Sequence, residues 1–243
     1  MEAFGTSWGN QAYERREGDS PTLVFLHGTG CDSVDWHAVL RHLPSGLDTL
    51  SIDFRGHGES SVPNEDFEFR DLSLDIHLAL EILHIERPII VGHSLGGMVG
   101  IELSTRRTLA GLVLLEGWTS LSVAGNAFEK GQRTGNLSGH QIGEIDRKRE
   151  ATLERFGGDQ WRGFWHTVKE FDGSAALEAI DIPVYEIYGS SLASPDSQSQ
   201  LNIPDRSNIH VEWVEGCGHF LPHEVPEKVA EICRQAYAEC QNN

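Results

Sequence analysis

A serine flanked by glycines, Gly92-His93-Ser94-Leu95-Gly96, follows the apolar run Pro88-Ile89-Ile90-Val91 and precedes the small-residue stretch Gly97-Met98-Val99-Gly100-Ile101. The pattern G-x-S-x-G in that setting predicts a strand that turns sharply into a helix. Such a turn strains the serine backbone and pushes its hydroxyl out of the top of the sheet, and the chemistry this offers is nucleophilic attack on an acyl carbonyl. That chemistry has requirements. A hydroxyl is a weak nucleophile until a base removes its proton, and the oxyanion that forms needs donors. A Gly-rich loop that only packs a helix closely on a strand would show the same five letters, so the remainder of the chain has to decide.

The elements around this turn read as a regular alternation. A hairpin is predicted from Phe4–Trp8 and Gln11–Arg15 around Gly9-Asn10. Thr22–Leu26 is a continuous apolar run of buried-strand type. A helix is expected over Val34–Leu43, closed by Pro44, and a strand over Leu47–Ile52. Leu72, Ile76, Ala79, Leu80 and Leu83 lie on one face of an amphipathic helix. Leu109–Leu115 is the strand after the Ser94 helix, and it runs into Glu116-Gly117. Alternating strands and helices imply crossovers of one hand and a mainly parallel sheet. From Gly117 to Ile180 the rhythm breaks. Two helices are expected there, one carrying Ile142, Ile145, Leu153 and Phe156 and one carrying Trp161, Trp165, Val168 and Phe171. Strands resume at Pro183–Tyr188 and His210–Val214, and a helix with Val229, Ile232, Cys233, Ala236 and Tyr237 on one face closes the chain. The expected fold class is therefore α/β: a mostly parallel, doubly wound sheet formed by residues 1–116 and 181–243, with a small helical lid at 117–180. Ser190–Gln200 reads as a polar loop.

Composition narrows the function classes. With 243 residues, 39% hydrophobic, the chain can bury one substantial core. Its formal net charge of -18 disfavours nucleic acid and anionic membrane surfaces as partners. An anionic small substrate is only weakly disfavoured, because a cleft can differ from the global field. The first residues carry neither a basic segment nor an apolar one of secretory type, and no stretch approaches the roughly 20 apolar residues of a membrane span. Cys31, Cys217, Cys233 and Cys240 show neither C-x-x-C spacing nor a paired Cys/His set. Free thiols in the cytoplasm, no metal, no cofactor, a small-molecule substrate, and a monomer or homodimer are the expectations.

Four motifs stand in order along the chain: His27-Gly28-Thr29-Gly30, Asp53-Phe54-Arg55-Gly56-His57-Gly58-Glu59-Ser60, Gly92-His93-Ser94-Leu95-Gly96-Gly97, and Gly216-Cys217-Gly218-His219-Phe220. Together they resemble the α/β-hydrolase superfamily over essentially the whole chain, in its serine-nucleophile, esterase-like branch. The resemblance implies that Ser94 is the nucleophile and His219, in a loop after the last strand, its base. It implies an oxyanion hole made by the backbone amides of Thr29 and Leu95. It makes His27, His57, His93 and Asp53 structural. His223 reads as solvent-exposed or capping. The acid departs from the family pattern, since Leu192 stands where an aspartate is common. Glu116, one strand after the nucleophile, is the first candidate, as in haloalkane dehalogenases. Asp196, further along the polar loop, is the alternative. Trp118, Trp161 and Trp165, with Phe128, Phe164 and Phe171, could line an acyl pocket or simply glue the lid to the sheet. The implied activity is hydrolysis of a carboxylic ester, thioester or lactone through an acyl-Ser94 intermediate. C–C bond hydrolysis or cofactor-free perhydrolysis on the same residues, and a non-catalytic ligand-binding role, remain as alternatives.

Overall fold

The computed structural model describes residues 1–124, 133–190 and 198–241. Eight strands form one sheet: β1 Glu2–Thr6, β2 Gly9–Arg16, β3 Asp19–Leu26, β4 Leu47–Ile52, β5 Ile89–His93, β6 Gly111–Leu115, β7 Val184–Gly189 and β8 Ile209–Val214. Their spatial order is β1-β2-β4-β3-β5-β6-β7-β8. β1–β2 and β2–β4 pair antiparallel and every other pair is parallel. The register aligns the strand ends: Leu26 pairs with Gly92, His93 with Leu115, Leu115 with Ile187, and Gly189 with Val214. One edge of the sheet therefore gathers the loops that leave β3, β4, β5, β6, β7 and β8, and all the chemistry-bearing motifs sit there.

Strand residues alternate between two cores, as the period of two requires. Val24, Leu26, Ile90, Leu112 and Leu114 face one core. It is closed by α2 (Phe69–Ile82) through Leu72, Ile76, Ala79 and Leu80, and by α3 (Leu95–Ser104) through Met98, Val99 and Ile101. Leu23, Phe25, Ile89, Val91 and Val113 face the other. That face is covered by Trp36, by Val39 of α1 (His37–Leu40), and by the Val229, Ile232, Cys233, Ala236 and Tyr237 stripe of the last helix. Between β6 and β7 lie α4 (Gly139–Arg155), α5 (Gly158–Glu170) and α6 (Ser174–Ala179). After β8 come α7 (Leu221–Glu224) and α8 (Pro226–Gln241).

Three local expectations need correction. The hairpin turn falls at Ser7-Trp8, since Thr6 pairs with Gly9. Thr6 closes the turn with its hydroxyl on the Gly9 carbonyl, and the Trp8 indole N–H reaches Asp75 Oδ1 at 2.8 Å, so a side-chain anchor on α2 overrides the Gly-Asn signal. The predicted helix over Val34–Leu43 is a 3-10 turn at Ser33–Trp36 followed by the single turn of α1. The Asp32 side chain caps the first turn and Trp36 is buried, which draws the chain down onto the sheet. His223 is neither exposed nor merely capping: its Nε2 lies 3.4 Å from Asp35 Oδ1. Most of the Ser190–Gln200 loop, including Leu192 and Asp196, lies outside the described residues, as does Phe128.

Candidate active site

β5 ends at His93, and the chain turns through Ser94 at φ 52°, ψ -116° into α3. A non-glycine residue held there costs on the order of 1–3 kcal/mol, so the surroundings must over-determine it. They do so on both sides. The Ser94 N–H donates to the Leu115 carbonyl at 2.9 Å, and the Ser94 carbonyl accepts from Gly97 and Met98. The flanking glycines permit the approach. A side chain at Gly92 would run into the backbone of Gly96, and one at Gly96 into the Leu26 carbonyl. Gly97 lies against Gly117 in the same way. The result is a serine raised at the sheet edge and only half-buried among buried neighbours.

The turn after β3 meets this serine. A Cβ at Gly28 would lie 2.9 Å from His93 Nδ1 and 3.3 Å from the Ser94 Cβ, so only glycine lets the turn come so near. Thr29 follows, beside the serine on one cavity. Leu95 opens α3, and its N–H is one of the helix-terminal amides that no helical carbonyl can satisfy. Thr29 and Leu95 thus border the same cavity as Ser94, each from its own turn.

His219 comes from the loop after β8. Its backbone is held at both ends: its N–H donates to the Arg133 carbonyl at 2.9 Å and its carbonyl accepts from His93 Nε2 at 2.8 Å. The flanking amides of Gly218 and Phe220 both donate to the Glu224 carboxylate, which also takes the Asn136 N–H. Glu224 is thus the clamp of the histidine loop. Its sequence signal is a glutamate one short turn beyond Gly218-His219-Phe220. Behind His219 stands Glu116, fully buried at the end of β6. Its φ of 53° turns the chain, and its N–H donates to the Ile187 carbonyl at 2.8 Å. Oε1 accepts from the Gly189 N–H at 2.6 Å and Oε2 lies 3.8 Å from His219 Nδ1.

Burial governs both titrations. It pushes the Glu116 carboxyl well up, against the pull of the Gly189 amide, with Glu224 and Glu186 adding repulsion. It pushes His219 well down, helped by His93 and Arg133. The site therefore favours a neutral imidazole, the form a general base must have. His93 is likewise held down to about 4 by burial, so it keeps its structural bond instead of competing as a charged group. Cys31 borders the cavity, but burial drives its thiol well up and leaves it a poor nucleophile.

Ser94, Thr29, Leu95 and His219 border one cavity of about 280 Å³, at the small end of small-molecule sites. Trp118 and Trp165 border it too. Trp161, expected beside the substrate, does not: its ring packs 5.0 Å from Phe156 and 5.7 Å from Phe164, in the apolar cluster under α5. Arg133 and Arg149 also border the cavity, and no sequence motif marks either of them. Asp53 and His27 hold the neighbouring turns. Asp53 accepts from the Ser33 and Glu59 amides, and His27 Nε2 accepts from the Phe54 amide. Among the described residues no cluster of potential metal ligands occurs, and no helix is long and apolar enough to cross a membrane.

Comparison with known proteins agrees with this layout. The sequence profile described as "Alpha/beta hydrolase family" matches residues 23–232. An uncharacterized protein of Mycobacterium tuberculosis is 26% identical over 273 residues, covering 94% of this chain and 79% of that protein. A thermophilic esterase from Thermogutta terrifontis superposes with a TM-score of 0.76 at 19% identity, over 99% of each chain. An N-acyl homoserine lactonase solved with N-hexanoyl homoserine lactone superposes with a TM-score of 0.76 at 17% identity, over 99% of this chain and 98% of that one. At these identities the structural likeness speaks for the fold.

Proposed function

The chain belongs to the alpha/beta hydrolase family, and on that premise we propose that it is a serine hydrolase of small carboxylic esters, thioesters or lactones. The observation that carries this reading is Ser94 raised at φ 52° on the cavity that His219 also borders, with Glu116 Oε2 3.8 Å behind the histidine. Neutral His219 takes the Ser94 hydroxyl proton as the oxygen attacks the acyl carbonyl. The carbonyl electrons move onto its oxygen, where the Thr29 and Leu95 amides meet the negative charge. The tetrahedral species collapses, and the leaving alcohol, or thiol, departs with the proton from His219. Water, deprotonated by His219, then releases the acid and frees Ser94. Through both halves Glu116 fixes the ring and stabilises the imidazolium.

The segment 117–180 acts in this reading as a lid. Trp118 and Trp165 border the cavity, and α4 is tied to the core on both flanks. Lys148 bridges Asp32 and Asp35 at 2.9 and 2.7 Å, and Arg155 donates to the Gly58 and Ser60 carbonyls. The free state of all four cysteines suits the reducing cytoplasm we assign it. The test is a series of 4-nitrophenyl esters of rising acyl length, run beside lactones and thioesters. Short acyl groups turn over fastest, and Ser94→Ala lowers kcat by about 10⁶-fold. Undiminished turnover by Ser94→Ala would overturn the reading.

A further inference from the structure

The cavity carries a charge opposite to that of the molecule. The chain has 19 lysines and arginines against 37 acidic residues, yet Arg133 and Arg149 both border the space in front of Ser94. On the serine-hydrolase reading above, we infer that the substrate bears a second, anionic group, a carboxylate separated by a few bonds from the scissile carbonyl, and that the guanidinium groups of Arg133 and Arg149 hold it.

The placement of the two arginines supports this. Arg133 is half-buried, and its guanidinium lies 5.6 Å above the Phe220 ring, next in sequence to His219. Its backbone carbonyl is the group that holds the His219 amide. Arg149 enters from α4, on the other side of the serine. Its stem lies against Gly30, where a Cβ would come within 2.9 Å of the Arg149 Cα and Cβ, so the residue rides on the turn that carries Thr29. The two residues thus border the cavity beside the His219 loop and beside the turn that carries Thr29.

The other cations of α4 are spent on structure. Lys148 is engaged by Asp32 and Asp35, Arg155 by the Gly58 and Ser60 carbonyls, and Arg147 by the Gly143 carbonyl. Arg149 makes neither a hydrogen bond nor an ion pair among the described residues. Burial and then the Arg149 charge weigh against the protonated form of Arg133, with Asp146 and Cys31 opposing them. Two cationic side chains lining one cavity repel each other, and a substrate anion between them relieves that repulsion. A carboxylate matches the planar fork of guanidinium donors and takes two bonds from each. The cavity of about 280 Å³ limits such a substrate to a short chain, of the kind a half-ester of a small dicarboxylic acid or a carboxylated lactone would offer.

The experiment compares mono-4-nitrophenyl glutarate with 4-nitrophenyl valerate, which share the leaving group and acyl length and differ in the terminal carboxylate. The expected result is a kcat/KM ratio of about tenfold or more in favour of the glutarate, set mainly through KM. Arg133→Gln and Arg149→Gln each lower that ratio about fivefold or more, and Arg149→Lys keeps part of it. Arg162→Gln, an exposed change away from the cavity, leaves it unchanged. In the unaltered enzyme the ratio falls as salt rises from about 20 to about 500 mM, a readout that does not depend on any variant folding. Turnover of the valerate at an equal or higher rate, or a ratio indifferent to salt and to both substitutions, overturns the anionic substrate while leaving the serine mechanism in place. Failure to turn over either ester, with no acyl group on Ser94, overturns both.

Discussion

Glu116 uses its two oxygens for two tasks. One is fixed by the Gly189 amide at 2.6 Å, which sets the carboxylate plane; the other is left facing His219 Nδ1 at 3.8 Å. A glutamate reaches the histidine from the end of β6 because its longer stem spans the gap that an aspartate there would leave open. Glu116→Gln keeps the shape and removes the group that can carry the countercharge once His219 takes up a proton. Its kcat should fall by up to about 10⁴-fold. A kcat left intact would show that Glu116 does not face the base. Ser94, His219, Thr29 and Leu95 were legible as candidates through the ordered motifs that resemble the family's, and Glu116 because it ends the strand after the nucleophile. Glu224, Arg133 and Arg149 were not. Their roles depend on where a short helix and a helical insertion fold back, and no local periodicity encodes that. Trp161 was misplaced for the same reason: its helix face turns toward Phe156 and Phe164.

At the scale of elements, the turn from β5 to α3 is the part with least tolerance. Gly96→Ala would drive a methyl group into the Leu26 carbonyl, and the backbone must move by enough to spoil the Ser94 geometry. The expected outcome is a loss of about 3 kcal/mol or more of stability in urea unfolding, with activity lost even in the fraction that folds. The helical insertion depends on a different contact. Lys148 of α4 donates to Asp32 and Asp35 of the loop that follows β3, and Asp35 also faces His223. Lys148→Met leaves those carboxylates without their cation and should cost about 2 kcal/mol. Hydrogen exchange should quicken across α4 more than across α3, and equal change in both would contradict a local anchor. The long helices and the buried strands could be read from sequence because their periods repeat over many residues. The hairpin turn at Ser7-Trp8 could not, since an indole bond to Asp75 on a distant helix decides it.

At the scale of the whole molecule, a carboxylate is sealed inside the sheet. Glu186 of β7 is fully buried, accepts a 2.9 Å bond from the Tyr188 hydroxyl, and is pushed by burial from 4.5 up to about 7. The unfolded chain releases that proton near 4.5 and the folded chain near 7, so folding binds a proton between those values. Its contribution to stability is present at low pH and is lost as pH rises through about 7. Glu186→Gln removes the effect. Its stability relative to the unaltered protein should climb by about 3 kcal/mol between pH 4.5 and pH 8 and then level off, as read by urea unfolding at each pH. The parallel sheet was legible at this scale from the alternation of runs and helices, whereas a glutamate inside a strand carries no sequence sign of its burial. All of these elements converge on one residue, and labelling it tests the account most directly. A fluorophosphonate probe should modify the folded protein once, at Ser94, with labelling lost in Ser94→Ala and slowed in Glu116→Gln. Folded protein that takes up no probe, or takes it up on another residue, would contradict the account.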